Sequence, residues 1–192
     1  MAMRHRIPTR LALQSTAIGL LSLVFISCTA TVPFIGKQPS AKAVVIEFEH
    51  AQSAETSDCL AVCADMVMQY YGMNQSVPDS VLPLDLMELS NTLNSLATID
   101  DSGNILFSAV LGMTTEDITT QIAKERPLII AFRPTSSEEY HSVVVTGADP
   151  VRKRFYVSDP ASRKPGWVKM SKFSTFADTG MFLVMVIGLR ES

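Results

Sequence analysis

The spacing of apolar positions changes period along the chain, and the changes divide it into elements. Between Cys59 and Tyr71, apolar side chains at Leu60, Val62, Cys63, Met66, Val67 and Tyr70 recur three and four apart. This predicts an amphipathic helix that starts behind the cap residues Ser57 and Asp58 and stops at Gly72. A weaker helical pattern runs over 79–96 and is interrupted by Pro83. A third begins at Thr114 or Thr115, with Glu116 and Asp117 favourably placed in the first turn, and runs to Glu125, because it must end before Pro127. The stretch 103–112 fits neither period. β-branched and aromatic runs at Val44–Phe48, Leu128–Phe132, His141–Thr146, Arg154–Ser158 and Phe182–Ile187 predict strands. With helices mostly before strands and no internal repeat, the expected architecture is α+β, a helical layer packed on an antiparallel sheet.

A different pattern opens the chain. Arg4, Arg6 and Arg10 precede an uncharged apolar run from Leu11 to Ile26, which ends in Ser27, Cys28, Thr29 and Ala30. That is the layout of a secretory signal. The run of about 16 residues is shorter than the roughly 20 that span a bilayer as a helix. Phe25-Ile26-Ser27-Cys28 resembles a bacterial lipoprotein box, although Phe25 stands where Leu is usual. The resemblance implies a signal peptide over 1–27, lipid on Cys28, and an extracytoplasmic lipoprotein held to a membrane. Cleavage after Ala30 and an uncleaved anchor are the alternatives. Residues 28–43, with Pro33, Gly36, Pro39 and Ser40, have no sustained period and read as a tether. The expected folded domain is 44–189, long enough for one core without disulfide or metal.

Composition narrows the function classes. With 47% hydrophobic and 18% charged residues and a mean hydropathy of +0.21, the chain is not of the disordered class. Lys and Arg total 16 against 19 Asp and Glu, which argues against nucleic acid as the main partner. Loss of residues 1–27 removes three Arg and no acids, so the net charge falls from -3 to -6.

Three cysteines and three histidines leave few ways to assemble a site. Cys59 lies in the first turn of the strongest helix, where the helix dipole and unpaired N–H groups favour thiolate and offer donors to an oxyanion. Cys63, one turn on among Met66 and Val67, reads as core packing. Two cysteines four apart on one helix face are too far separated for a disulfide. A thiolate attacking an amide needs a proton carrier. His50 sits in a loop without an evident orienting partner and reads as surface or packing. His141 opens a strand, and a hairpin between 141–146 and 154–158 would set it directly opposite Asp159, about 5 Å away on the same face. Asp149, in the turn, would be roughly 25 Å off along the strand. A one-residue bulge would shift this pairing.

The segment from Asp58 to Gly72, Asp-Cys-Leu-Ala-Val-Cys-Ala-Asp-Met-Val-Met-Gln-Tyr-Tyr-Gly, resembles the nucleophile helix of papain-like cysteine peptidases of the bacteriocin-processing, double-glycine type. Later parts match in order: Pro127–Ile130, the histidine strand His141–Gly147, and Tyr156–Ala161 with its Asp-Pro pair. Trp167–Phe176 and Gly180–Ile187 are similar to that family's closing helix and last strand. The resemblance implies a papain-like fold over 44–189 and a thiol protease in which Cys59 is nucleophile, His141 general base and acid, and Asp159 the orienting group. Leu60 departs from the usual Gly or Trp after the cysteine. The oxyanion-hole glutamine is expected six residues before the nucleophile, where Ser53 stands; Gln52, seven before, takes the role if the loop holds one extra residue. Asp58 reads as a cap.

The implied reaction is peptide hydrolysis through an acyl-enzyme, and the same residues also suit deamidation or transpeptidation. Expected partners are a peptide or protein substrate and the membrane reached through the lipid, with no cofactor. A cell-wall amidase or endopeptidase is the enzyme alternative, although its Asp-Cys group places the histidine much nearer than the 82 residues separating Cys59 from His141. A catalytically idle peptide-binding scaffold on the same fold is the non-enzyme alternative. Zinc held by Cys59, Cys63 and a histidine is disfavoured, since nothing makes those ligands converge.

Overall fold

The computed structural model describes residues 34–36, 38–53, 59–74, 86–99, 105–132, 141–173 and 183–189. In chain order the elements are β1 (Val44–Val45), α1 (Cys59–Tyr70), α2 (Leu86–Ile99), β2 (Ile105–Leu111), α3 (Thr115–Ala123), β3 (Leu128–Phe132), β4 (His141–Asp149), β5 (Arg154–Ser158), β6 (Gly166–Lys169) and β7 (Leu183–Leu189). The strands form one antiparallel sheet in the order β2-β7-β3-β4-β5-β6, with β1 beside β4. The fold is α+β, as the sequence reading expected.

Helix boundaries follow from local chemistry. Gly72 adopts φ 75 past the end of α1. Its N–H donates to the Gln69 carbonyl at 2.9 Å and the Met73 N–H to the Met68 carbonyl at 3.0 Å, the paired bonds of a Schellman stop. Thr114 caps α3 in a capping box: its Oγ1 accepts from the Asp117 N–H while the Asp117 carboxylate accepts from the Thr114 N–H. Helix α2 is described over Leu86–Ile99, in line with the later part of the expected 79–96 pattern; residues 75–85, like the expected caps Ser57 and Asp58, lie outside the described residues.

The helical layer is split. Ile129 and Ala131 of β3 and Val144 of β4 pack with Cys63, Met66 and Val67 of α1 and Leu93 of α2. The alternate residues Leu128, Ile130, Val143 and Val145 pack with Ile118 and Ile122 of α3. Helices therefore cover both faces of the central strands, which is why β3 and β4 are buried throughout rather than alternately. Each such Ile or Val contributes about 1.5–3 kcal/mol by burial.

Three expectations change. The ambiguous stretch 103–112 supplies β2, which pairs with β7 from Ile105↔Leu189 to Leu111↔Leu183. Trp167 does not open a helix: Gly166–Lys169 is strand β6, paired with β5, and only 170–173 turn helically; residues 174–182 lie outside the described residues. Across β5 the Trp167 ring meets Tyr156 at 5.1 Å, a cross-strand aromatic pair that favours the extended form. Finally, residues 34–36 and 38–43, expected as tether, are fastened to the domain. The Ile35 N–H donates to the Trp167 carbonyl at 2.7 Å, the Phe34 ring lies over Gly166, and Ser40 binds Asp149 through its N–H and hydroxyl.

Candidate active site

Helix α1 starts at Cys59, which is 3% exposed, and packs on β4 and β3. Leu60 is half-buried against the core. Cys63 is fully buried, and neither cysteine is in a disulfide. Burial pushes the Cys63 thiol well above the usual range, and negative charge on Cys59 and Asp159 pushes it the same way. Both effects oppose thiolate formation at Cys63. They also keep Cys63 a neutral packing group beside the site.

His141 opens β4, pairs with Phe132 of β3, and meets that ring edge-on at 5.4 Å. Its Nε2 is 3.0 Å from Asp159 Oδ1, and both side chains are buried. The carboxylate is held by its own turn: Oδ1 also accepts the Ala161 N–H at 2.9 Å, and the Ser162 N–H donates to the Asp159 carbonyl at 2.8 Å. An imidazole with one nitrogen on a carboxylate keeps a defined tautomer, and its other nitrogen, Nδ1, is the one suited to exchange a proton with a thiol.

The contact arises by a different route from the expected direct pairing. Val144 lies opposite Ser158 and Val145 opposite Val157, two residues away from the register that would oppose His141 and Asp159. The ladder ends there, and His141 and Asp159 meet beyond it. A shift of two preserves the face. Nearer the β4–β5 turn the register differs by one, Gly147↔Tyr156 to Asp149↔Arg154, and a bulge at Thr146 absorbs the difference. Without that bulge Asp159 would fall on the side away from His141. Gly147 completes the device, because β1 crosses it so closely that a Cβ would sit 2.8 Å from the Val44 carbonyl oxygen.

Gln52 is exposed in the loop before α1, and the neighbouring Ser53 N–H donates to the Pro160 carbonyl at 3.0 Å. That bond fastens the Gln52 loop to the Asp159 turn. Cys28 and the rest of 1–33 lie outside the described residues.

His50 holds more than the sequence suggested. Its Nδ1 is 2.7 Å from Ser158 Oγ and its Nε2 is 2.8 Å from the Ser162 carbonyl oxygen. The carbonyl can only accept, so Nε2 carries the proton and Nδ1 takes the serine hydroxyl. His50 thus clamps both sides of the Asp159 turn. Nothing local marks it, since its partners are 108 and 112 residues away.

With this geometry in view, the comparisons with known proteins are informative. A family model described as Peptidase_C39 like family matches residues 44–181. The chain belongs to the Peptidase_C39 like family. No curated protein matches it significantly. Among solved structures, a C39-like peptidase from Bacillus anthracis is similar at 15% identity and TM-score 0.57, covering 78% of this chain and 100% of its own. A double glycine motif protease from an AMS/PCAT transporter, in complex with the leader peptide, is similar at 15% identity and TM-score 0.50, covering 80% of this chain and 99% of its own. At that identity these two neighbours speak for the fold. The described residues thus include a buried His141–Asp159 pair and a buried cysteine at the head of α1.

Proposed function

We propose that this C39-like chain is an exported, membrane-anchored cysteine peptidase that cleaves peptide bonds through Cys59, His141 and Asp159. The observation that carries the reading is the buried 3.0 Å contact between His141 and Asp159, and it is supported by the place of Cys59 at the head of α1, which packs on the strand that His141 opens. In the reaction, His141 Nδ1 takes the Cys59 proton and the thiolate adds to the substrate amide carbon. The resulting oxyanion is met by the Cys59 N–H and the Gln52 side chain. The C–N bond then breaks, and His141 gives its proton to the departing amine. Water, deprotonated by His141, attacks the thioester, releases the carboxylic acid and restores the thiol. Asp159 stabilises the imidazolium in both halves. The leader peptide bound to the transporter protease supports a peptide as the substrate.

The anchored, extracytoplasmic location rests on the signal-like layout of 1–27 and the lipoprotein-box resemblance at Cys28. Cys28→Ser is expected to abolish stable membrane attachment; unchanged partitioning would remove this part of the reading.

The test of the chemistry is labelling by a thiol-directed acyl electrophile. Labelling should vanish in Cys59→Ala, persist in Cys63→Ala and slow in His141→Ala. An unreactive Cys59 in folded protein would turn the reading to a peptide-binding scaffold. Digestion of a peptide library beside purified cell wall distinguishes peptidase from wall hydrolase, and product masses distinguish hydrolysis from deamidation or transpeptidation.

A further inference from the structure

We propose that a basic groove at the Asp149 end of β4 is a docking surface for an anionic phospholipid bilayer, and that it orients the anchored domain on the membrane. The groove, of about 1560 Å³, lies between α3, the β4–β5 turn and β6, at the opposite end of β4 from His141. Exposed Lys124, Arg152, Lys153 and Lys169 line it, against one exposed acid, Glu116. A domain with a net charge of -6 after loss of 1–27 is repelled elsewhere by an anionic surface, so this local cationic concentration selects a face. At the tip of the turn Val151 is 60% exposed, the most exposed large apolar residue among those described, and it stands between Pro150 and the two cations Arg152 and Lys153. An apolar tip flanked by cations suits the boundary between headgroups and acyl chains.

The course of the chain names the partner. Ile35 itself lines the groove, and Cys28 precedes it by seven residues. Seven extended residues reach at most about 25 Å. A lipid on Cys28 therefore keeps this face within about 25 Å of the bilayer; the proposal rests on the lipid-anchor reading for that proximity. The opposite end of β4, with His141, lies eight residues and about 27 Å further along an extended strand. Docking thus leaves the His141 end of β4 away from the bilayer.

The experiment uses the full chain in vesicles of phosphatidylcholine alone or with one quarter phosphatidylglycerol. A polarity-sensitive fluorophore is attached at Val151→Cys in a Cys59→Ala background, and lipid-borne quenchers report its depth. Quenching should be at least fivefold greater in the anionic vesicles. It should fall to the neutral-vesicle level in the triple variant Lys124→Glu, Lys153→Glu, Lys169→Glu and partway there in the corresponding triple Gln variant, which adds no acid. Equal quenching in neutral vesicles, or indifference to both triples, would overturn the proposal. So would release by inorganic phosphate but not by chloride of equal ionic strength, which would assign the groove to a free anion. Cys28→Ser is carried in parallel. It should keep only a weak, salt-sensitive preference for anionic vesicles; attachment as strong as wild type would refute the anchor while the charge-reversal comparison still reads the face.

Discussion

Strand β4 ends in a buried acid–base pair at each terminus. At its start His141 meets Asp159 at 3.0 Å, and at its finish Arg154 meets Asp149 at 3.2 Å. The second pair is closed on every side. Asp149 accepts from Ser40 twice, from the Arg152 N–H and from the Arg154 guanidinium, which also donates to the Gln38 carbonyl and lies 4.4 Å from the Trp167 ring. A guanidinium keeps its proton at any working pH, so this pair can only hold the strap and the turn in place. At the other end the basic member is an imidazole, whose second ring nitrogen can exchange a proton with a neighbouring group. Under the proposed mechanism the two contacts on one strand differ in use, because only one of them has a member able to pass a proton.

The sharpest way to break that comparison is to remove each pair and measure both activity and stability. His141→Ala should lower turnover and thiol labelling by roughly 10²–10⁴-fold with the fold retained in circular dichroism. Comparable loss in folded Asp149→Asn protein would erase the distinction. Asp149→Asn should instead cost about 3 kcal/mol in denaturant unfolding, since it leaves a buried guanidinium without its counter-charge. The pH course sharpens this. Burial works to raise the Asp149 carboxyl, but hydrogen bonds from Ser40, Arg152 and Arg154 overcome it and hold the group down at about 2. A carboxyl held below its unfolded value stabilises the fold above that unfolded value and loses the contribution as pH falls through the folded one. Wild type and Asp149→Asn should therefore converge in stability as pH drops from about 4 to about 2.

A smaller effect is expected at His50. His50→Ala removes two hydrogen bonds that fix the Asp159 turn, and about 1–2 kcal/mol of positioning should slow labelling of Cys59 about tenfold, leaving substrate KM little changed. A change confined to melting temperature would make His50 structural only. Smallest of all, Cys63→Ala should cost about 1 kcal/mol of stability and leave the labelling rate alone, because burial keeps that thiol protonated.

The helices were legible wherever their signals were local. Apolar spacing in 59–71, Gly72 at the stop, and the Thr114–Asp117 box all act within one or two turns, and the structure reproduces α1 and α3 within two residues at each end. Strand β2 and the extended form of Trp167 were not legible, because what stabilises them is pairing with β7 and β5, supplied by distant segments. The same division holds in the site. Cys59 and His141 stand out by residue type and by position at the start of an element, and Asp159 by the resemblance of its Asp-Pro segment. His50 carries no local mark, and its clamp on Ser158 and Ser162 exists only once β5 is in place.

Sequence alone determined the α+β class, the amphipathic helix headed by Cys59, the C39-like order of Cys, His and Asp-Pro, and the basic and apolar segments that open the chain. These depend on spacing and composition, which short-range physics reads directly. Tertiary structure decided the placement of helices on both faces of the sheet, the bulge at Thr146 that sets Asp159 on the His141 side, and the strap that closes around Asp149. Each of these depends on register between segments far apart in the chain, where a shift of one residue reverses the face of every side chain and no local pattern records which alternative packs.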